Sequence, residues 1–138
     1  MVTGITCSDE QIKLFNELKL EKSHRYIVLG LNKDRNGFET LHTGKREETL
    51  KDIQEHLPKD DCRYVVFDFE FQTFENPPRD TAKLILICWA PDNASIKVKV
   101  PFAASKNEIR SSFPGINKDI SASDFGIIDH EELRKECC

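Results

Sequence analysis

Residues 84–89 read LILICW, an apolar run too short to span a bilayer and of the length expected for a strand buried inside a sheet. Ala90-Pro91-Asp92-Asn93 closes it, because proline brings no ladder donor and Asp and Asn favour turns. From Lys97 to Lys118 the chemistry changes: Lys97, Lys99, Lys106, Arg110 and Lys118 stand against a single acid, Glu108. On formal charges this stretch is +4 inside a chain of net charge −4, so the remainder carries −8. Ile96, Val100, Ala103 or Ala104, Ile109 and Phe113 recur at roughly helical spacing, which predicts an amphipathic helix with those residues turned to the core. Its basic face meets either solvent or an acidic partner, and the pattern alone leaves both open.

The segments on either side constrain the fold further. Ser8-Asp9-Glu10-Gln11 has the form of a capping box and predicts a helix to about Leu20, with Ile12, Phe15 and Leu18 on its buried face. Residues 25–31 (RYIVLGL) predict a strand covered on both faces. Asp34-Arg35-Asn36-Gly37 predicts a hairpin turn and residues 38–43 a returning edge strand. A second helix is expected over 45–57, with Leu50, Ile53 and Leu57 on one face and Pro58 as its stop. Residues 62–71 (CRYVVFDFEF) predict a strand that pairs antiparallel with the one from Lys83, across a loop at 72–81 containing Asn76-Pro77-Pro78. Pro114-Gly115 ends the basic helix, 116–121 allow a short strand, and Asp129-His130-Glu131-Glu132 opens a last helix. The order implies an α/β fold over 1–138: one domain, a mixed sheet with helices on both faces.

Chemistry-bearing residues are sparse. His24, His42, His56 and His130 are far apart in sequence and read as surface residues, so no metal site is expected. Asp68 and Glu70 share one strand face and read as exposed. Phosphate-cradling, dinucleotide-binding and nucleophile-elbow motifs are absent, so neither an enzyme nor a cofactor is expected. The acidic balance argues against a general nucleic-acid binder. The five cysteines form no C-x-x-C and read as reduced thiols. MVTGITCSDE contains no apolar stretch of the kind a secretion signal needs, so an intracellular, soluble protein is expected.

Several segments, in order, resemble the ADF/cofilin family of actin-depolymerising proteins over essentially the full length. They are Ser8-Asp9-Glu10, Phe15-Asn16-Glu17-Leu18-Lys19, Asp61-Cys62-Arg63-Tyr64, Phe67-Asp68-Phe69-Glu70, Trp89-Ala90-Pro91-Asp92, Ile96-Lys97-Val98-Lys99, Ala103-Ala104-Ser105-Lys106 and Gly115-Ile116. The resemblance implies a single ADF-homology domain with a central mixed five-stranded sheet flanked by helices. It also implies a cytoplasmic, cytoskeletal binding protein that engages monomeric and filamentous actin and promotes subunit loss and severing. Glia maturation factor and coactosin share the architecture and act on branch junctions or filament sides; Trp89-Ala90-Pro91 and Lys97-Val98-Lys99 favour the cofilin reading.

Carried over residue by residue, the resemblance implies a surface for monomer and filament made of Thr3, Gly4, Ile5, Lys97, Lys99, Val100, Ser105 and Arg110. A filament-only surface would use Arg79, Lys83, Arg134 and Lys135. Lys97, Lys99, Lys106 and Lys118 would meet phosphoinositide heads, and Thr3 stands near where the family carries a phosphorylated serine. No cofactor is implied, and the protein is expected to be a monomer. Two departures bear on the long helix. Val100 replaces the usual methionine, and Pro101 removes a helical donor, while Ser105-Lys106-Asn107-Glu108 has the form of a second capping box at which the helix could restart.

Overall fold

In the computed structural model, which describes residues 7–31 and 37–137, the longest strands are β3 (Arg63–Gln72) and β4 (Asp80–Trp89). They pair antiparallel along their whole length, from Arg63↔Trp89 to Gln72↔Asp80. β1 (Tyr26–Leu31) and β2 (Phe38–Gly44) extend the sheet on one side, and β5 (Lys118–Ala122) on the other, giving the order β2-β1-β3-β4-β5. β5 runs parallel to β4 and the remaining pairs are antiparallel, so the sheet is mixed as expected. Asp34, Arg35 and Asn36 of the predicted turn, together with Thr3, Gly4, Ile5 and Cys138, lie outside the described residues.

The near-continuous apolar runs are explained by cover on both faces. Ile27, Leu29, Tyr64, Val66, Leu84 and Leu86 pack on one side with Phe15 and Leu18 of α1 (Asp9–Asn16 and the π-helical turn Glu17–Glu21 that continues it). Phe102 of α3 (Ile96–Ala104), Ile109 of α4 (Lys106–Ser112) and Phe113 complete that layer, with Phe113 stacked on Phe15. The alternate residues Val28, Val65, Phe67, Ile85 and Ile87 face α2 (Leu50–Gln54) and α5 (His130–Cys137). The capping box at Ser8 is formed: the Gln11 amide donates to Ser8 Oγ at 3.2 Å, and the Ser8 amide donates to Gln11 Oε1 at 2.9 Å. Gln11 Nε2 also donates to the Phe38 carbonyl at 2.6 Å, tying the helix to the edge strand β2. A bulge leaves Leu41 out of the ladder between Val28↔His42 and Leu29↔Thr40, which interrupts an edge that could otherwise pair with another chain. Gly115 takes φ 106° where the chain turns from α4 to β5, a value that suits glycine.

Three expectations need correction. The helix expected over 45–57 is reduced to α2, because residues 45–48 are held by other partners. Glu48 accepts from the Lys45 amide and from the Tyr26 hydroxyl, and Arg46 reaches Asp68, Glu70 and the His24 carbonyl. Asp52 then reaches back to the Thr49 amide at 2.8 Å, so Thr49 caps a helix that starts at Leu50. Asp68 is not exposed: it is 2% accessible and paired with Arg46 at 2.8 Å and Lys22 at 3.3 Å, while Glu70 takes Arg25 and Arg46. His42 and His56 are not isolated surface residues; their rings stack 3.8 Å apart against Tyr26.

Candidate functional site

The turn after β4 launches the basic helix. The Ala90 amide donates to the Ala122 carbonyl at 2.9 Å and the Ala94 amide to the Pro91 carbonyl at 3.0 Å, so the strand end is fixed to β5 before α3 begins. The Ser95 carbonyl then accepts from the Val98 and Lys99 amides, both at 3.0 Å, as the first helical bonds. α3 runs through Pro101 despite the lost donor, a cost of about 3 kcal/mol in a regular helix interior. Burial and aromatic stacking of the next residue oppose that cost: Phe102 is 4% accessible and lies flat on Tyr64, with centroids 4.0 Å apart.

The interruption falls at Ser105, as the sequence allowed, but by a different device. Ser105 does not cap through its side chain; its backbone is helical and its hydroxyl donates to the Phe102 carbonyl at 2.8 Å. The same carbonyl accepts the Tyr64 hydroxyl and the Ser105 amide. That crowd of short-range donors replaces a regular helical bond from the next turn and separates α3 from α4. Ser105 is therefore removed from the implied contact surface: it is fully buried and serves the helix junction.

The apolar periodicity also resolves differently from the expectation. Phe102, Ser105, Ile109 and Phe113 face the core, whereas Ile96 is 76% and Val100 62% accessible. These two bracket Lys97, which is exposed and has no ion pair among the described residues. Lys99 is half-buried, its Nζ donating to the Asp92 carbonyl at 3.3 Å. Lys106 and Arg110 both turn to Asp119 on β5, and Lys118 donates to the Glu136 carbonyl at 2.6 Å. The hydrogen bond to Lys106 holds the Asp119 carboxyl below its usual range, with the Lys106 and Arg110 charges adding to the effect. Among the cations implied for this side, Lys97 of α3 points outward, Lys99 is half-buried against the Asp92 carbonyl, and the α4 pair is held by Asp119. Cys7, where the described chain begins, has its thiol beside Ser112 of α4; burial pushes that thiol up to about 11.

Arg79, Lys83 and Arg134 gather at the other end of β4, about 30 Å along a ten-residue strand from the start of α3. The β3–β4 tip is closed by the Thr73 amide on the Arg79 carbonyl at 2.9 Å and the Arg79 amide on Thr73 Oγ1 at 3.0 Å. Arg79 pairs with Glu75, and Lys83 Nζ donates to the Cys137 carbonyl at 2.6 Å. Arg134 donates to the Gln72 and Thr73 carbonyls, and its guanidinium lies 4.0 Å from the ring centroid of Phe74, which stays 56% accessible. Lys135 is exposed and paired with Glu132, without contact to this cluster. Phe74 and Ile96 were not picked out from the sequence as contact residues; for Phe74, an aromatic inside the polar stretch TFENPPR has no periodic core face to join, and that was the available sign.

Among the described residues no group of three or more His, Cys, Asp or Glu side chains is placed to hold a metal, and no helix is long and apolar enough to cross a membrane. A mixed sheet presenting one basic helix and one hairpin tip defines a binding module built on surfaces. Residues 4–138 match the family model described as cofilin/tropomyosin-type actin-binding protein, and the chain belongs to this family. It is 36% identical to actophorin of Acanthamoeba castellanii over 132 residues, covering 96% of this chain and 94% of that protein. It is 38% identical to cofilin of Schizosaccharomyces pombe, covering 95% and 93%. A crystal structure of Streptomyces griseoflavus cofilin superposes with TM-score 0.85 at 30% identity, covering 96% of each chain.

Proposed function

We propose that this protein binds actin and depolymerises actin filaments, with the outward face of α3 as the contact shared by monomer and filament. The observation that carries the reading is the exposed pair Ile96 and Val100 around Lys97, in a chain of the cofilin-type actin-binding family. Apolar side chains at the centre of a contact with cations beside them suit a partner surface that is apolar and acid-rimmed, where the charges speed encounter and fix register. Lys99 lies one turn-neighbour away and contributes to the same field. Thr3, Gly4 and Ile5 would extend this surface. The hairpin tip, with Phe74, Arg79, Lys83 and Arg134, is the second contact, made only to a neighbouring subunit in the filament; Lys135 is its margin. Anionic lipid heads, including phosphoinositides, would compete for Lys97 and Lys99. The protein works as a cytoplasmic monomer of one ADF-homology domain, by binding and without catalysis.

The test is direct observation of labelled filaments together with monomer affinity by anisotropy. Expected are micromolar or tighter binding to monomeric actin and faster filament shortening. No binding to either form at micromolar concentration would refute the proposal. Release of filament branches without monomer binding would instead place the chain with the branch-acting relatives of this fold.

A further inference from the structure

Asp119 sits on the edge strand β5, where Ile120 and Ala122 are buried on the α5 side of the sheet and Asp119 turns to the α4 side. Lys106 and Arg110 are four apart on α4, so they form one stripe of that helix, and the stripe faces β5. One carboxylate takes both: Lys106 Nζ lies 2.9 Å from Oδ2, and the Arg110 guanidinium holds Oδ1. The three side chains are 38%, 37% and 28% accessible, so solvent reaches them and the arrangement is not sealed by packing. The partner that holds both cations is Asp119.

We propose that Asp119 sets how much positive charge the α3–α4 side shows to an anionic membrane surface: it withholds Lys106 and Arg110 and leaves Lys97 and Lys99 to do the binding. This rests on the reading of α3 as the outward basic face. The two arms differ in what occupies them. Lys97 has no acid beside it among the described residues, whereas each α4 cation already has a partner whose loss would have to be matched by lipid phosphate. A surface carboxylate beside two cations cancels one of their charges, and screening by salt acts on it as on any exposed pair.

The experiment is vesicle cosedimentation of the full chain with phosphatidylcholine vesicles, with and without phosphatidylserine, at low and high salt. Asp119→Asn removes one negative charge and takes the Lys106–Arg110–Asp119 cluster from a net +1 to +2; one charge is worth roughly fivefold at an anionic surface, so a gain of about fivefold is expected on phosphatidylserine vesicles. The gain should be absent on phosphatidylcholine and fade with salt. Lys106→Gln with Arg110→Gln should weaken the binding of the otherwise unchanged chain less than Lys97→Ala with Lys99→Ala does, and should cancel the gain when combined with Asp119→Asn. A folded Asp119→Asn that binds no better than the parent chain overturns the proposal. So does a loss of binding in Lys106→Gln with Arg110→Gln as large as in Lys97→Ala with Lys99→Ala; that comparison decides even where Asp119→Asn fails to fold. If Lys97→Ala with Lys99→Ala leaves vesicle binding unchanged, the reading of α3 fails, while a gain on Asp119→Asn still supports the role of Asp119.

Discussion

Ser105→Ala separates a core residue from a contact residue. The hydroxyl donates to the Phe102 carbonyl at 2.8 Å and lies 3.2 Å from the Tyr64 hydroxyl, in a site with no solvent access. Removing it deletes one internal hydrogen bond, worth about 0.5–1.5 kcal/mol. The Phe102 carbonyl keeps the Tyr64 hydroxyl and the Ser105 amide, so the larger penalty of an orphaned buried acceptor does not apply. A loss near 1 kcal/mol is therefore expected, which for a chain of this size lowers Tm by roughly 2–5 °C. Affinity for monomeric actin, read by anisotropy well below the melting range, should stay within about twofold, a difference of about 0.4 kcal/mol. An affinity loss of about tenfold at unchanged Tm would mean that Ser105 touches the partner, and the assignment of the residue to the helix junction would fall.

Phe74→Ala should leave Tm almost unchanged, because the ring is mostly exposed, yet weaken filament binding while monomer affinity holds; parallel pelleting and anisotropy check the split. The depressed Asp119 carboxyl contributes stability above its unfolded pKa of about 3.9, and that contribution is lost as pH falls through the lower folded value. Parent and Asp119→Asn melting temperatures should accordingly differ at neutral pH and converge in acid; a constant difference down to low pH would contradict the linkage. Thr3→Glu should weaken actin binding by like-charge repulsion, with Thr3→Ala binding normally and both melting as the parent does, since the site precedes the Ser8 cap; equal affinity for Thr3→Glu would remove regulation at this residue.

Much of the architecture was legible because local and global preferences agree. Ser8 and Gln11 cap where their spacing said they would, and the apolar run of β1 did mean cover on both faces. The failures share a cause, which is tertiary competition for groups that local rules assign elsewhere. Arg46 and Glu48 were expected in a helix and are claimed by Asp68 and Tyr26, residues about twenty positions away. Asp68 looked exposed because its cations, Lys22 and Arg46, come from other parts of the chain. α3 is apolar on both sides, so periodicity could not say whether Ile96 and Val100 or Val98 and Phe102 face inward. Ser105 read as a contact by resemblance, and only the position of Tyr64 reveals it as internal. Phe74 carried its meaning in isolation from any pattern.

The most direct measurement is the affinity of Ile96→Ala with Val100→Ala for monomeric actin, with Tm recorded on the same preparation. Both side chains are mostly exposed and neither joins the core, so stability should shift by no more than about 0.5 kcal/mol. If the outward face of α3 is the contact, truncating its two apolar anchors should weaken binding by at least about tenfold, the loss of a modest hot spot. Parent-like affinity at parent-like Tm would show that actin is bound elsewhere on the molecule.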